Sequence, residues 1–192
     1  MPVTLNASTA SGLIATSDTS GIIQLQSNGS TKATISSSGF SYPGAVLQVV
    51  QTTKTDTFST SSTSKTDITG MSVSITPTNA NNKILVVASI NYGGNDYNFY
   101  CDLLRGATAL AVPSSGNNPC TISLSGINTA NQWVIYNGVI YYLDSPATTS
   151  ATTYKLQIAC QSNGTFYLNR SQRNNSSDSV CSSTITAMEI AA

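Results

Sequence analysis

The stretch Gln132-Trp-Val-Ile-Tyr-Asn-Gly-Val-Ile-Tyr-Tyr-Leu143 is apolar at both parities. Successive side chains of a strand point to opposite sides. One face would therefore carry Trp133, Ile135, Asn137, Val139, Tyr141 and Leu143, and the other Val134, Tyr136, Gly138, Ile140 and Tyr142. An antiparallel strand ordinarily keeps one side wet. Two dry faces predict a strand covered on both sides, by the chain's own core and by a neighbouring subunit or a loop. Ile140 and Tyr142 are accordingly candidate oligomer contacts, and Trp133 is expected in the core.

Similar runs lie on either side of it. Strands are expected near 45–57, 66–75, 83–92, 97–104, 121–124, 152–161, 164–169 and 183–190. They are separated by turn-rich segments such as Thr76–Asn82, Pro113–Pro119, Asp144-Ser145-Pro146 and Ser171–Asp178. Many short strands at this spacing predict an all-β fold, an antiparallel sandwich or jelly roll. The first 40 residues differ. Asp18-Thr-Ser-Gly21 reads as a turn and Ser27-Asn-Gly-Ser30 as a tight hairpin. Ile23, Leu25, Ala33 and Ile35 alternate with polar neighbours. So few apolar residues build no core, and a two-stranded ribbon is marginal in water. Residues 1–40 are thus expected to be an attachment arm, with Ile23, Leu25 and Ile35 as oligomer contacts. Residues 41–192 form the sandwich.

Composition narrows the chemistry. The 192 residues hold eight Lys+Arg, eight Asp+Glu and no His. Charged residues make up only 8%, while Ser, Thr and Asn number 30, 26 and 17. A neutral chain without a basic run has no electrostatic footprint for nucleic acid. Its apolar runs, such as Ile84–Ala88, are too short to enter a bilayer as a spanning helix. Met1-Pro-Val-Thr-Leu-Asn6 does not read as a secretion signal, so assembly in the cytoplasm of the cell that makes the chain is expected.

Without His, neither a His-assisted nucleophile nor a His metal ligand is available. Ser62-Thr-Ser-Lys65 matches a Ser-x-x-Lys nucleophile motif but lacks the companion motifs and lies in a Ser/Thr run. Asp96 and Asp102 are the closest carboxylate pair, yet on one strand they would stand about 20 Å apart. Asn91–Asp102 has no EF-hand spacing for calcium. Cys101, Cys120, Cys160 and Cys181 lack zinc spacing. Both Cys101–Cys120 and Cys160–Cys181 bridges and four free thiols stay open. Neither an enzyme, a cofactor nor a metal is expected.

Exposed loops remain as candidate ligand contacts: Asn95, Asp96, Tyr97 and Asn98 in the first, Asn117 and Asn118 in the second, and Arg170 and Arg173 around the third. Aromatics beside amides are suited to gripping sugars, and the two Arg to anionic ones.

Several stretches carry a resemblance. Leu143-Asp-Ser-Pro-Ala-Thr-Thr-Ser-Ala-Thr-Thr-Tyr-Lys-Leu-Gln157, Tyr167-Leu-Asn-Arg-Ser171, Ser183-Thr-Ile-Thr-Ala-Met-Glu-Ile190, Val46-Leu-Gln-Val-Val50, Asp67-Ile-Thr-Gly-Met-Ser-Val-Ser-Ile-Thr-Pro77 and Leu103-Leu-Arg-Gly-Ala107 resemble the C-terminal β domain of tailed-bacteriophage appendage proteins. Asp18-Thr-Ser-Gly-Ile-Ile-Gln-Leu-Gln-Ser-Asn-Gly29 is similar to the β repeats of phage fibre shafts. The resemblance implies a non-enzymatic virion component. Its arm, residues 1–40, would bind other virion proteins, and its β knob would be trimeric and contact host-surface glycan as part of a tail fibre. Alternatives are a capsid decoration protein or head fibre, and a free-standing bacterial carbohydrate-binding module.

Overall fold

The structure, a computed structural model, describes residues 21–37, 39–95, 97–126 and 129–192. The chain divides into two compact units, one up to Ala45 and the other from Val46 to Ala192.

In the first unit, β1 (Ile23–Ser27), β2 (Ser30–Ser36) and β3 (Gly39–Ser41) form an antiparallel sheet in that order. Asn28 and Gly29 link β1 to β2 with φ of 51° and 72°, the two-residue geometry for which Asn-Gly is suited. The third strand is an addition to the two expected. Most of the expected Asp18–Gly21 turn lies outside the described residues. Ile23 stands opposite Ile35, and Ile35 opposite Phe40, so the three share one face. Leu25 pairs with Ala33 beside them. Ile23, Leu25, Ile35 and Phe40 are all exposed, Phe40 at 56%.

The second unit is a sandwich of two antiparallel sheets. Its strands are β4 (Val46–Lys54), β5 (Phe58–Thr60), β6 (Thr66–Ile75), β7 (Lys83–Gly94), β8 (Phe99–Arg105), β9 (Thr108–Leu110), β10 (Ile122–Leu124), β11 (Tyr136–Asp144), β12 (Thr152–Cys160), β13 (Phe166–Leu168) and β14 (Ser183–Ile190). One sheet runs β4-β14-β7-β13-β5, with β11 on the other side of β7. The other runs β10-β8-β12-β6, with β9 also on β8. No α-helix occurs among the described residues, and Thr129–Asn131 makes one 3-10 turn.

Alternating residues of each strand fill the space between the sheets. Ile84, Val86, Ala88 and Ile90 of β7 meet Met71 and Val73 of β6, Leu103 of β8 and Leu156 of β12 in one buried cluster. Each fully buried aliphatic side chain contributes ~1.5–3 kcal/mol relative to exposure. Aromatic rings close one end: Phe166 lies 5.8 Å from Tyr92 and 5.4 Å from Phe99, centroid to centroid. Gly94 makes this packing possible, because a Cβ there would collide with the Phe99 ring.

The deciding stretch is only partly a strand. Val134 N donates to Asn131 O at 3.0 Å, so the chain is still turning there, and β11 starts at Tyr136. Its inner side is Gly138, Ile140 and Tyr142, with Ile140 buried and Tyr142 packed against the core. Leu124 lies against Gly138 so closely that a Cβ has no room. Ile140 therefore belongs to the chain's own core, which corrects its expected place at a subunit contact. The outward side carries Tyr141 and Leu143, both exposed. Trp133 is corrected too: it lies in the turn at 51% exposure, not in the core.

Candidate functional site

Two surfaces bring the candidate residues together. The first is apolar. On the sandwich, Val49 of β4 stands opposite Met188 of β14, Met188 opposite Leu85 of β7, and Leu85 opposite Leu143 of β11. Directly paired strand residues share a face, so the four form one row across four strands on the outer side. Tyr141 adds to it from the adjoining row, opposite Val87. Val49, Tyr141 and Leu143 are exposed. A row of this kind on an uncovered sheet face has the character of an association surface. On the first unit, the Ile23–Ile35–Phe40 row is exposed in the same way and has the same character.

The second surface is polar and formed by loops. The antiparallel pairing of β11, β13 and β14 with β7 places residues 129–135 and 169–182 at the end where β7 finishes. Asn95, Tyr97 and Asn98 meet the 161–165 loop at that end as well. Asn95 Oδ1 accepts from Thr165 N at 2.8 Å, and Asn95 Nδ2 donates to Asn163 O at 3.3 Å. Asn98 N donates to Gln161 Oε1, and Gln161 N to Asn98 O. Asn95 thus pins two loops together, while Tyr97 packs over Gly164 at 3.0 Å from where its Cβ would be. Asp96 lies outside the described residues. Asn117 is exposed, and Asn118 donates to the Tyr100 hydroxyl at 3.3 Å. Tyr92 and Phe99, from the same aromatic run, are core residues.

The arginines are both engaged. Arg170 lies 4.0 Å over the Tyr167 ring and donates to Ser171 O. Arg173 is ion-paired with Asp178, and its guanidinium stands 5.7 Å from the Trp133 ring centroid. The Arg173 partner holds the Asp178 carboxyl well below the usual range, with Ser171 adding a further hydrogen bond.

Sites of possible chemistry resolve into structural contacts. Lys65 Nζ is taken by Asp102 Oδ1 at 2.8 Å and Tyr100 O at 3.0 Å, while Ser62 Oγ donates to Ser64 O. Asp144 accepts from Arg105 Nη1 at 2.9 Å and from the buried Tyr154 hydroxyl at 2.6 Å. Burial and that carboxylate raise the Tyr154 pKa. All four cysteines are free, Cys101 and Cys160 buried. Among the described residues no three His, Cys, Asp or Glu gather as metal ligands.

Sequence reasoning missed the outer row, because Val49, Leu85, Leu143 and Met188 are far apart in the chain and only strand register aligns them. It also missed Trp133 as a surface residue, although Asn131, two residues before it, is of a turn-favouring type.

No protein-family model matches the sequence, and no curated protein matches it. Among solved structures, the chain is similar to the infectious bursal disease virus VP2 subviral particle at 14% identity and a TM-score of 0.38, over 76% of this chain and 37% of that one. It is similar to the structure of the infectious bursal disease virus Gx strain at 13% identity and a TM-score of 0.40, over 88% of this chain and 43% of that one. The chain spans less than half the length of either. A likeness at these values assigns neither fold nor function.

Proposed function

We propose that the chain is a non-enzymatic structural component of a tailed-phage virion, which assembles through apolar sheet faces and displays its sandwich for adsorption to a host surface. The observation that carries this is the row of Ile23, Ile35 and Phe40, aligned across the β1–β3 sheet and all exposed. Such a face gains most of its stability by packing on another copy or another protein. The Val49–Met188–Leu85–Leu143 row supports assembly through the sandwich as well. The phage-appendage resemblance supplies the rest: a homotrimer, attachment to other virion proteins through residues 1–40, and a tail location.

Antibody–gold labelling of particles, read by electron microscopy, tests this directly. Gold at the tail is the expected result. Gold over the capsid replaces the tail assignment with a decoration protein or head fibre. Unlabelled particles contradict the virion role.

A further inference from the structure

We propose that Trp133 and the 171–178 loop form a binding site for an uncharged sugar. The assignment deepens the adsorption role proposed above and rests on it. Trp133 is the chain's single tryptophan, and half of it is in solvent. The Arg173 guanidinium stands 5.7 Å from the ring centroid, and the exposed half of the residue is an apolar surface available for stacking. Its setting is fixed: Arg173 N donates to Gln132 O at 3.1 Å, tying the loop to the turn that carries the indole.

The loop itself is built in advance. Ser171 is buried, and its hydroxyl donates to Asp178 Oδ2 at 2.7 Å and accepts from Asn174 N at 3.0 Å. Asp178 Oδ2 also accepts from Asn175 N at 3.1 Å. A preorganised loop loses little freedom on binding. The Asn174 backbone is held at a φ of 50° and its exposed side-chain amide is left for a ligand.

The charges decide the ligand class. Arg173 is matched by Asp178, and Arg170, at the foot of the loop, is held over the Tyr167 ring and by Ser171 O, so the indole and the Asn174 amide are the groups left open to a ligand. Such a surface stacks the C–H face of a pyranose and hydrogen-bonds its hydroxyls. It gives no advantage to a sialic acid or uronate, whose carboxylate would compete with Asp178 for Arg173.

The test uses the full chain on an array of neutral hexose, N-acetylhexosamine, uronate and sialylated glycans. The best neutral member is then titrated against tryptophan emission, which reports Trp133 alone. Neutral glycans are expected to be retained and to shift the emission saturably, with no loss in high salt. Trp133→Ala is expected to weaken array binding roughly tenfold or more. Trp133→Phe keeps a ring, retains part of the binding, and guards against a folding defect. The site is overturned if no neutral member shifts the emission, if Trp133→Ala binds as wild type, or if only anionic members bind and salt abolishes it. Gold on particles with no neutral-glycan binding overturns the site and leaves the virion role standing. Neutral-glycan binding without gold does the reverse.

Discussion

Ile35 and Phe40 stand directly opposite each other on β2 and β3, and both are exposed. With Ile23 across β1 they put three large apolar side chains in line. Nothing in the strand chemistry requires this: the alternate positions Gln24, Thr34 and Ser41 show that polar residues suit the same strands. An aligned apolar row on an otherwise Ser/Thr-rich surface is what an assembly contact requires.

The sandwich has two distinct sides along β11, and substitution separates them. Ile140→Asp places an unpaired carboxylate in the core and is expected to cost about 4 kcal/mol or more. Tyr141→Asp, one residue on, faces outward on the association surface and is expected to leave urea unfolding of the dilute, dissociated chain within about 0.5 kcal/mol of wild type. A native-like Ile140→Asp would show that face to be exposed.

Glu189, the chain's single glutamate, is fully buried and accepts four hydrogen bonds, from Gln48, Asn82 and the backbone and hydroxyl of Thr78. Burial pushes its pKa up, but the donors outweigh it and hold the carboxyl below its ordinary 4.5. Its contribution is therefore present above that value and lost as pH falls through the lower folded-state pKa. Thermal melts should show stability declining in acid below about pH 4.5. Glu189→Gln turns an NH2 toward a donor and should cost ~1–3 kcal/mol at neutral pH. This component of the acid slope should be absent from the variant.

Asp144 ties the sheets together through Tyr154 and Arg105. Tyr154→Phe keeps the ring and removes a hydrogen bond to a charged acceptor, so a loss of ~1.5–3 kcal/mol is expected from urea unfolding. A smaller loss would mean that Arg105 alone satisfies the carboxylate.

Thiol reactivity should follow burial. Burial pushes the Cys101 thiol up to about 12 and raises Cys160 as well. Brief alkylation of the native chain, read by peptide mass, should label Cys120 and Cys181 and spare Cys101 and Cys160. In denaturant without reductant all four should react. Fewer than four would reveal a disulfide.

How much of this was legible in the sequence depends on range. The Asn28-Gly29 hairpin and the Ile23, Leu25 and Ile35 alternation are local signals, and they fold as written. Thr66–Ile75 is likewise a strand over the expected residues. The orientation of β11 was not legible, since Ile140 and Tyr141 are both apolar. What decides it is Leu124 packed against Gly138, a contact that spacing does not announce. The three-residue strands β5 and β9 carry too little pattern to be read and exist through pairing with β13 and β8. In the polar loops the amide-rich composition was visible, but not that Asn95 and Arg173 are held by partners within the chain.

Native mass spectrometry of the full chain beside an Ile35→Ser/Phe40→Ser variant tests the assembly claim most directly. A homo-oligomer, a trimer, is expected for the wild type, and its dissociation in a variant whose sandwich still melts cooperatively. A monomeric wild type, or a variant with unchanged oligomer mass, would contradict it.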